Sequence, residues 1–490
     1  MKVILAIDLG TTGNRVIAFS KDGRIVARAY YEFPQIFPEP GWVEQDPREI
    51  WRTTLKALHD VVGQVGVENV EAIGLTNQRE TTILWERATG KPVYNAIVWQ
   101  CRRTAAMCDA LREYEPQIKR KTGLFLDPYF SATKIRWILD HVSGTQEKAE
   151  AGALAFGTVD TWILWQLTGG AVHATEPSNA SRTLLVNIHT LAFDDDLLKL
   201  FGIPRPLLPE VKPSGGAFGT TTRALLGKSI PVTGILGDQQ AAFFAHGGWE
   251  PGIVKNTYGT GLFVVTSTGR TVPDSGKLVN TIAWQLDGET TYALEGSIFV
   301  GGAAIQWLRD GLKILESAAE SEELAVSLSD NEGVYFVPAL TGLGAPYWDP
   351  EARGTFLGLT RGTTRAHFAR AALEALAYQT RDVIEEMVKA TGGQNLKKLA
   401  VDGGASKNNF LLQFQSDILN IPVERPQVVE TTAFGAAGVA GLTAGFWDRD
   451  AFLRARKIDR IFSPRMKAED RERFYARWKK AVQRALKWVG

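Results

Sequence analysis

The strongest constraint on this chain is a pattern that occurs once in each half. An apolar strand-like run is joined to a second strand by a turn of glycines and threonines. In the first half Val3–Ile7 leads into Asp8-Leu9-Gly10-Thr11-Thr12-Gly13, and Asn14–Phe19 follows as the next strand. In the second half Gly252–Asn256 and Leu262–Thr266 flank Thr257-Tyr258-Gly259-Thr260-Gly261. Such turns expose backbone N–H groups and short hydroxyls, a concavity that accepts phosphate oxygens. One of them alone is as readily an ordinary hairpin turn. Two, one per half, can grip a polyphosphate from both sides. A third element, Asp402-Gly403-Gly404-Ala405-Ser406-Lys407-Asn408, follows the strand Leu399–Val401. Its glycines permit close approach by a flat base or a ribose. The coincidence of three points to a nucleotide.

The surrounding pattern is mixed α/β. Asn14–Phe19 and Arg24–Tyr30 read as a hairpin around Lys21-Asp22-Gly23. Asp46-Pro47 starts a helix whose apolar stripe is Ile50, Trp51, Leu55 and Leu58. Val70–Leu75 and Thr81–Trp85 read as further strands. A long helix runs from Arg365 to Thr391, with Thr364 as its cap and Gly392-Gly393 as its stop. The chain has 490 residues, 44% of them hydrophobic, which is a prior for more than one domain. The boundary is placed at His246–Gly252, giving domains 1–248 and 249–490. Two facing α/β domains form a cleft, a usual place for a ligand.

Composition excludes several classes. The 55 basic and 54 acidic residues nearly cancel, so there is no nucleic-acid footprint. Arg471–Lys480 reads as the solvated face of a terminal helix. Cys101 and Cys108, placed on one helix, are too far apart to bridge and read as free thiols. The six histidines have no zinc-ligand spacing. Thr431–Trp447, the longest uncharged run, is rich in Ala and Gly and too short to span a membrane. It reads as a tightly packed internal helix. No signal peptide opens the chain, and the expected location is cytoplasmic. Gly227-Lys228-Ser229 is not a P-loop, because Thr222 stands at the first glycine position and Pro231 where a helix should begin.

The chemistry-bearing candidates lie between these turns. Asp238 ends the apolar run Val232–Leu236 and is a candidate general base. The competing reading makes it the N-cap of the following helix. Thr76–Thr82 places seven polar residues after a buried strand, and Arg79 and Glu80 offer donors and acceptors side by side. That suits a ligand rich in hydroxyls, against a salt-bridged surface turn. Trp99, Tyr129 and Phe130 can wall a small carbon skeleton. Asp8, at a strand end, can hold a magnesium ion directly or through water.

These motifs resemble those of the FGGY carbohydrate kinases. The resemblance runs through Asp8–Thr12, Gly41–Pro47, Thr76–Thr82, Asn95–Arg103, Asp127–Lys134, Phe156–Thr161, Asn179–Arg182, Gly237–Gln240, Asn256–Gly261, Leu340–Pro350, Leu359–Gly362 and Asp402–Asn409. It covers nearly the whole chain. Gln78–Thr82 and Gly344–Pro350 resemble the members that act on glycerol rather than on sugars. The resemblance implies two actin-like, ribonuclease-H-like ATPase domains with the active site between them. It implies ATP, Mg2+ and transfer of the γ-phosphoryl to glycerol, in a homo-oligomer, dimer or tetramer. Glycerol would contact Arg79, Glu80, Trp99, Tyr129, Asp238, Gln239 and Phe263, with Asp238 as the base. The nucleotide would contact Thr11, Thr12, Gly13, Arg15, Thr260, Gly302, Gln306, Gly404 and Asn408. Asp8 would act near the metal. Gly13 departs from the family pattern, which usually has serine there.

Overall fold

The chain is built around two sheets in a computed structural model that describes residues 1–489. The first sheet comprises β1 (Val3–Leu9), β2 (Gly13–Ser20), β3 (Ile25–Glu32), β4 (Val70–Asn77) and β5 (Val232–Gly237). Their order is β5-β4-β1-β2-β3. β1 to β3 form an antiparallel meander, and β4 and β5 add in parallel beside β1. The second sheet comprises β6 (Ile253–Tyr258), β7 (Leu262–Gly269), β8 (Val279–Leu286), β9 (Glu289–Ile298), β10 (Lys398–Asp402), β11 (Val423–Pro426) and β12 (Ile458–Phe462). Its order is β8-β9-β7-β6-β10-β11-β12. Here too an antiparallel set (β6, β7, β9) is extended on its other side by two parallel strands (β10, β11). The recurrence in the sequence is therefore a recurrence of topology: two α/β units with one strand order, as the resemblance implies. Each Gly/Thr turn joins the first two strands of its sheet.

Local sequence explains the elements. α1 (Pro47–Val65) starts at the Asp46 cap, whose carboxylate accepts the Arg48 N–H at 2.8 Å. Its buried face is Ile50, Thr54, Ala57, Leu58 and Val61, whereas Trp51 and Leu55 lie at the margin. Threonine enters the core because its hydroxyl bonds the Ile50 carbonyl within the helix, at 2.7 Å. Downstream follow α2 (Asp238–Ala245), α3 (Arg365–Ala390), α4 (Thr431–Thr443) and α5 (Ala468–Ala485). Thr364 caps α3 reciprocally with His367. α5 contains Arg471–Lys480 and buries Tyr475, Trp478 and Val482. The expected strand Thr81–Trp85 is Ile83–Glu86, paired with Leu154–Gly157 outside the main sheets. Thr81 and Thr82 belong to the loop before it. Both cysteines are free and buried, but Cys101 precedes the helix Ala105–Ala110 that carries Cys108. No helix among the described residues is long and apolar enough to cross a membrane.

α4 crosses from the second unit onto the first sheet. Its backbone at Ala436 and Ala440 lies directly on Gly74 of β4 and Gly234 of β5, where any Cβ would collide. The small-residue run is thus a packing device. Ile4, Ala6 and Phe19 of the first sheet share one core with Ala433, Ala437 and Ala440 of α4 and with Trp284 of the second sheet.

Candidate active site

Seven candidate substrate residues converge. Arg79, Glu80, Trp99, Tyr129, Asp238, Gln239 and Phe263, together with Thr11, line one cavity of about 40 Å³. That is far below the roughly 300–1,000 Å³ of a drug-sized ligand pocket. Six segments of the chain supply it. Arg79 and Glu80 follow β4, Asp238 and Gln239 open α2, and Phe263 lies at the start of β7. Thr11 and Phe263 adjoin the two Gly/Thr turns, so the cavity lies where those turns face each other.

Its floor is a buried charge cluster. Arg79 donates to Glu295 at 2.7 and 3.1 Å and to Gln240 at 3.2 Å. Its Nε lies 3.1 Å from the Asp238 carboxylate. Arg182 donates to Glu80 at 2.6 Å and to Glu295 at 3.1 Å. Burial pushes the Glu80 carboxyl up, against the pull of Arg182 and Arg79. At Glu295 burial acts the same way, but Arg182 and Arg79 outweigh it and hold the carboxyl well below its ordinary value. Arg79 remains cationic, since Glu295 and Glu80 offset its desolvation. The side chain of Asp238 is 31% exposed, whereas those of Glu80 and Glu295 are 1% and 0%. Of these three carboxylates, Asp238 is much the most exposed.

Glu80 has φ of 61°, a conformation that is costly for a side-chain-bearing residue and clusters at functional sites. The backbone is held there by the Ser131 hydroxyl, which donates to the Glu80 carbonyl at 3.0 Å. Trp99 meets Tyr129 edge-on at 5.7 Å and donates its indole N–H to the Thr11 hydroxyl at 3.0 Å. Lys255, buried on β6, donates to the Gln239 amide oxygen.

The alternative role of Asp238 as an N-cap is corrected by the geometry. Gly237 is the cap and Asp238 is the first helical residue. One carboxylate oxygen accepts the Gln239 N–H at 2.7 Å. Among the described residues nothing donates to the other.

The candidate nucleotide residues fall on both sides of the cleft. The Asp8–Arg15 turn is closed by the Gly10 N–H donating to the Gly13 carbonyl at 3.1 Å. Arg15 lies 3.5 Å from Asp8 and pairs with Glu430 at the start of α4. Burial raises the Asp8 carboxyl to about 6, opposed by Arg15 and reinforced by Glu430 and Asp238. On the other side Gly302 donates to the Gly259 carbonyl at 2.8 Å, and Gly301 donates to that of Thr260 at 2.8 Å. This seats the helix Ala303–Asp310, with exposed Gln306, beside the second turn. Gly403 has φ of 85° and lies against the Tyr258 backbone, while the space over Gly404 is open. Asn408 spends its amide oxygen capping the helix Asn409–Leu419.

The FGGY carbohydrate kinase N-terminal domain matches residues 3–245 and the C-terminal domain matches residues 254–444. The chain belongs to the FGGY family of carbohydrate kinases. The kinase is 58% identical to a glycerol kinase of Aquifex aeolicus, over 100% of its own length and 99% of that protein's. It is 58% identical to a glycerol kinase of Symbiobacterium thermophilum, over 99% of both. Its fold superposes with a TM-score of 0.94 on a Plasmodium falciparum glycerol kinase crystallised with ADP, at 36% identity, covering 99% of the kinase and 98% of that chain.

Sequence reasoning gave no site role to Glu295, Lys255, Gln240 or Arg182. A signal existed for the first two. Each is a charge that ends a short apolar run inside a strand, in Tyr292-Ala293-Leu294-Glu295 and Ile253-Val254-Lys255. A buried charge needs a partner, and the partners here are active-site groups.

Proposed function

We propose that the kinase transfers the γ-phosphoryl of ATP to a terminal hydroxyl of glycerol, giving sn-glycerol 3-phosphate and ADP. The observation that carries this is the small cavity in which Arg79, Glu80, Asp238 and Gln239 meet the aromatic walls Trp99, Tyr129 and Phe263. A three-carbon triol has three hydroxyls to satisfy and little carbon to enclose. The carboxylate of Glu80 and the guanidinium of Arg79 would hold two of them. The third would lie against the unpartnered oxygen of Asp238, which accepts its proton as the bond to phosphorus forms. Phosphoryl transfer depends mainly on in-line positioning and on charge stabilisation. Positioning comes from the buried cluster, whose members cannot move independently. The N–H groups and hydroxyls of the two Gly/Thr turns would hold the phosphates, and Gly404 would leave room for the adenine.

Mg2+, when bound, neutralises charge on the phosphates. Among the described residues no three ligating side chains cluster for an ion. The fit is to Asp8 with water and the nucleotide's own oxygens, a usual magnesium arrangement. Glu430 and Asp238 add negative potential there.

A pentulose or another polyol is the competing substrate class. A longer sugar would clash with the walls or leave polar groups unpaired. The test is a panel of glycerol, erythritol, xylulose and ribulose assayed for ATP-dependent phosphorylation. Glycerol should give the highest kcat/KM, and a higher value with any pentulose overturns the assignment. We further propose the domain limits 1–248 and 249–490, a homo-oligomer and a cytoplasmic location. Light scattering and fractionation test the last two.

A further inference from the structure

Tyr30 lies on β3 opposite Arg15 of β2. Its side chain crosses β2 toward the first Gly/Thr turn. The Arg15 guanidinium sits 5.3 Å from its ring centroid. Its hydroxyl lies 3.4 Å from the Thr12 hydroxyl, a long contact that holds the proton weakly. A Cβ on Gly13 would come within 2.7 Å of that hydroxyl and 2.8 Å of the ring. Tyr30, together with the Tyr31 carbonyl oxygen at 2.6 Å, therefore occupies the space that a side chain at position 13 would fill. Nevertheless the residue is 42% exposed, so it is not a core aromatic. The fold gives its hydroxyl no other partner among the described residues.

We propose that Tyr30 is a further phosphate-binding residue, its phenol donating a hydrogen bond to the phosphate chain held by Thr11, Thr12 and Gly13. The inference rests on the nucleotide reading of that turn. Glycine at 13 lets the phenol reach the mouth of the turn. Arg15, itself fixed by Asp8 and Glu430, holds the ring by its face. A hydroxyl is thus delivered to the turn from a neighbouring strand.

Tyr30→Phe isolates the hydroxyl, because the ring, its packing on Gly13 and its contact with Arg15 all remain. The measurement is calorimetric titration of the full chain with ADP and, as a phosphate-free control, with adenosine. A hydrogen bond to a charged acceptor is among the stronger ones, so the ADP Kd should rise about tenfold. The adenosine Kd, the glycerol KM and the melting temperature should stay at wild-type values. An ADP Kd within about twofold of wild type, or equal weakening of ADP and adenosine, overturns the proposal. If wild type binds no ADP, the nucleotide reading itself falls and this one with it. If wild type binds ADP and Tyr30→Phe binds it equally well, only this inference falls.

Discussion

Glu295 receives both terminal nitrogens of Arg79, at 2.7 and 3.1 Å, across the seam between the two sheets. Arg79 follows a strand of the first sheet and Glu295 lies within a strand of the second. Both are buried. The residue proposed to hold the polyol is therefore itself held by the other half of the protein. The cavity is complete only when the two units are docked, and that couples substrate binding to the domain interface.

Glu295→Gln should weaken both functions of that contact. It leaves Arg79 and Arg182 facing a neutral amide. Removing one partner of a buried pair costs about 3–5 kcal/mol, so the denaturation midpoint should fall. Displacement of Arg79 should lower kcat/KM for glycerol on the order of 10²-fold, with the KM for ATP little changed. A variant with normal stability and normal glycerol kinetics would show that the ion pair positions nothing.

The packing of α2 on α4 gives a second test. Gly435 lies on the Ala241 backbone with no room for a Cβ, and α2 begins at Asp238. Gly435→Ala must push the helices apart. Overpacking of this kind costs about 1–3 kcal/mol, and here it would also shift Asp238, the proposed base. Urea denaturation and glycerol kinetics should both worsen. Unchanged kinetics in a destabilised variant would separate the packing from the site.

These two cases show what the sequence makes legible. Strand periodicity, the Asp46-Pro47 start and the Thr364 cap are local, and the elements they predict are present, although the strand expected at Thr81–Trp85 is displaced to Ile83–Glu86 and only Cys108 lies on the helix expected to carry both cysteines. The Gly/Thr turns and Asp238 were readable because their chemistry sits at strand ends. Glu295 and Lys255 acquire roles only through contacts between strands distant in sequence. Local pattern shows that such a charge is unusual, but not what it meets. Gly13 is similar: a Cβ there is crowded by the Tyr31 carbonyl oxygen and the Tyr30 phenol, both from a neighbouring strand. Asp238 as a cap was a local reading that Gly237 displaced, because the helix begins one residue earlier than an aspartate cap would need.

Glu176 supplies the pH test. Its carboxylate caps the short helix Pro177–Ala180 and accepts the Ser214 hydroxyl at 2.6 Å. Burial raises it to about 7 from an ordinary 4.5, against the hydrogen bonds from Ser178 and Ser214. A raised carboxyl keeps its proton in the folded protein where the unfolded chain has lost it. Its contribution to stability is then fully present below 4.5 and is lost as pH rises to 7. The loss is on the order of 3 kcal/mol. Glu176→Gln cannot titrate, so the stability difference between variant and wild type should change across that window and be flat outside it. A constant difference would mean that Glu176 is ionised throughout.

The base is tested by Asp238→Asn. The substitution keeps size and one acceptor but removes the basic carboxylate. Arg79 retains Glu295 as its principal partner, so the cavity should stay formed. Glycerol affinity should fall only modestly, because Arg79 and Glu80 still hold the other hydroxyls. ADP affinity should barely change, since the turns that hold the phosphates are untouched. Turnover should fall by about 10²–10⁴-fold, the usual contribution of a positioned general base. Asparagine is tolerated at helix starts, so a purely structural role predicts near-normal turnover. The deciding quantity is kcat at saturating glycerol and ATP, with folding checked by the melting temperature. If the folded variant keeps more than about a tenth of wild-type turnover, the loss is below the smallest expected for a base, and the proton must go elsewhere than Asp238.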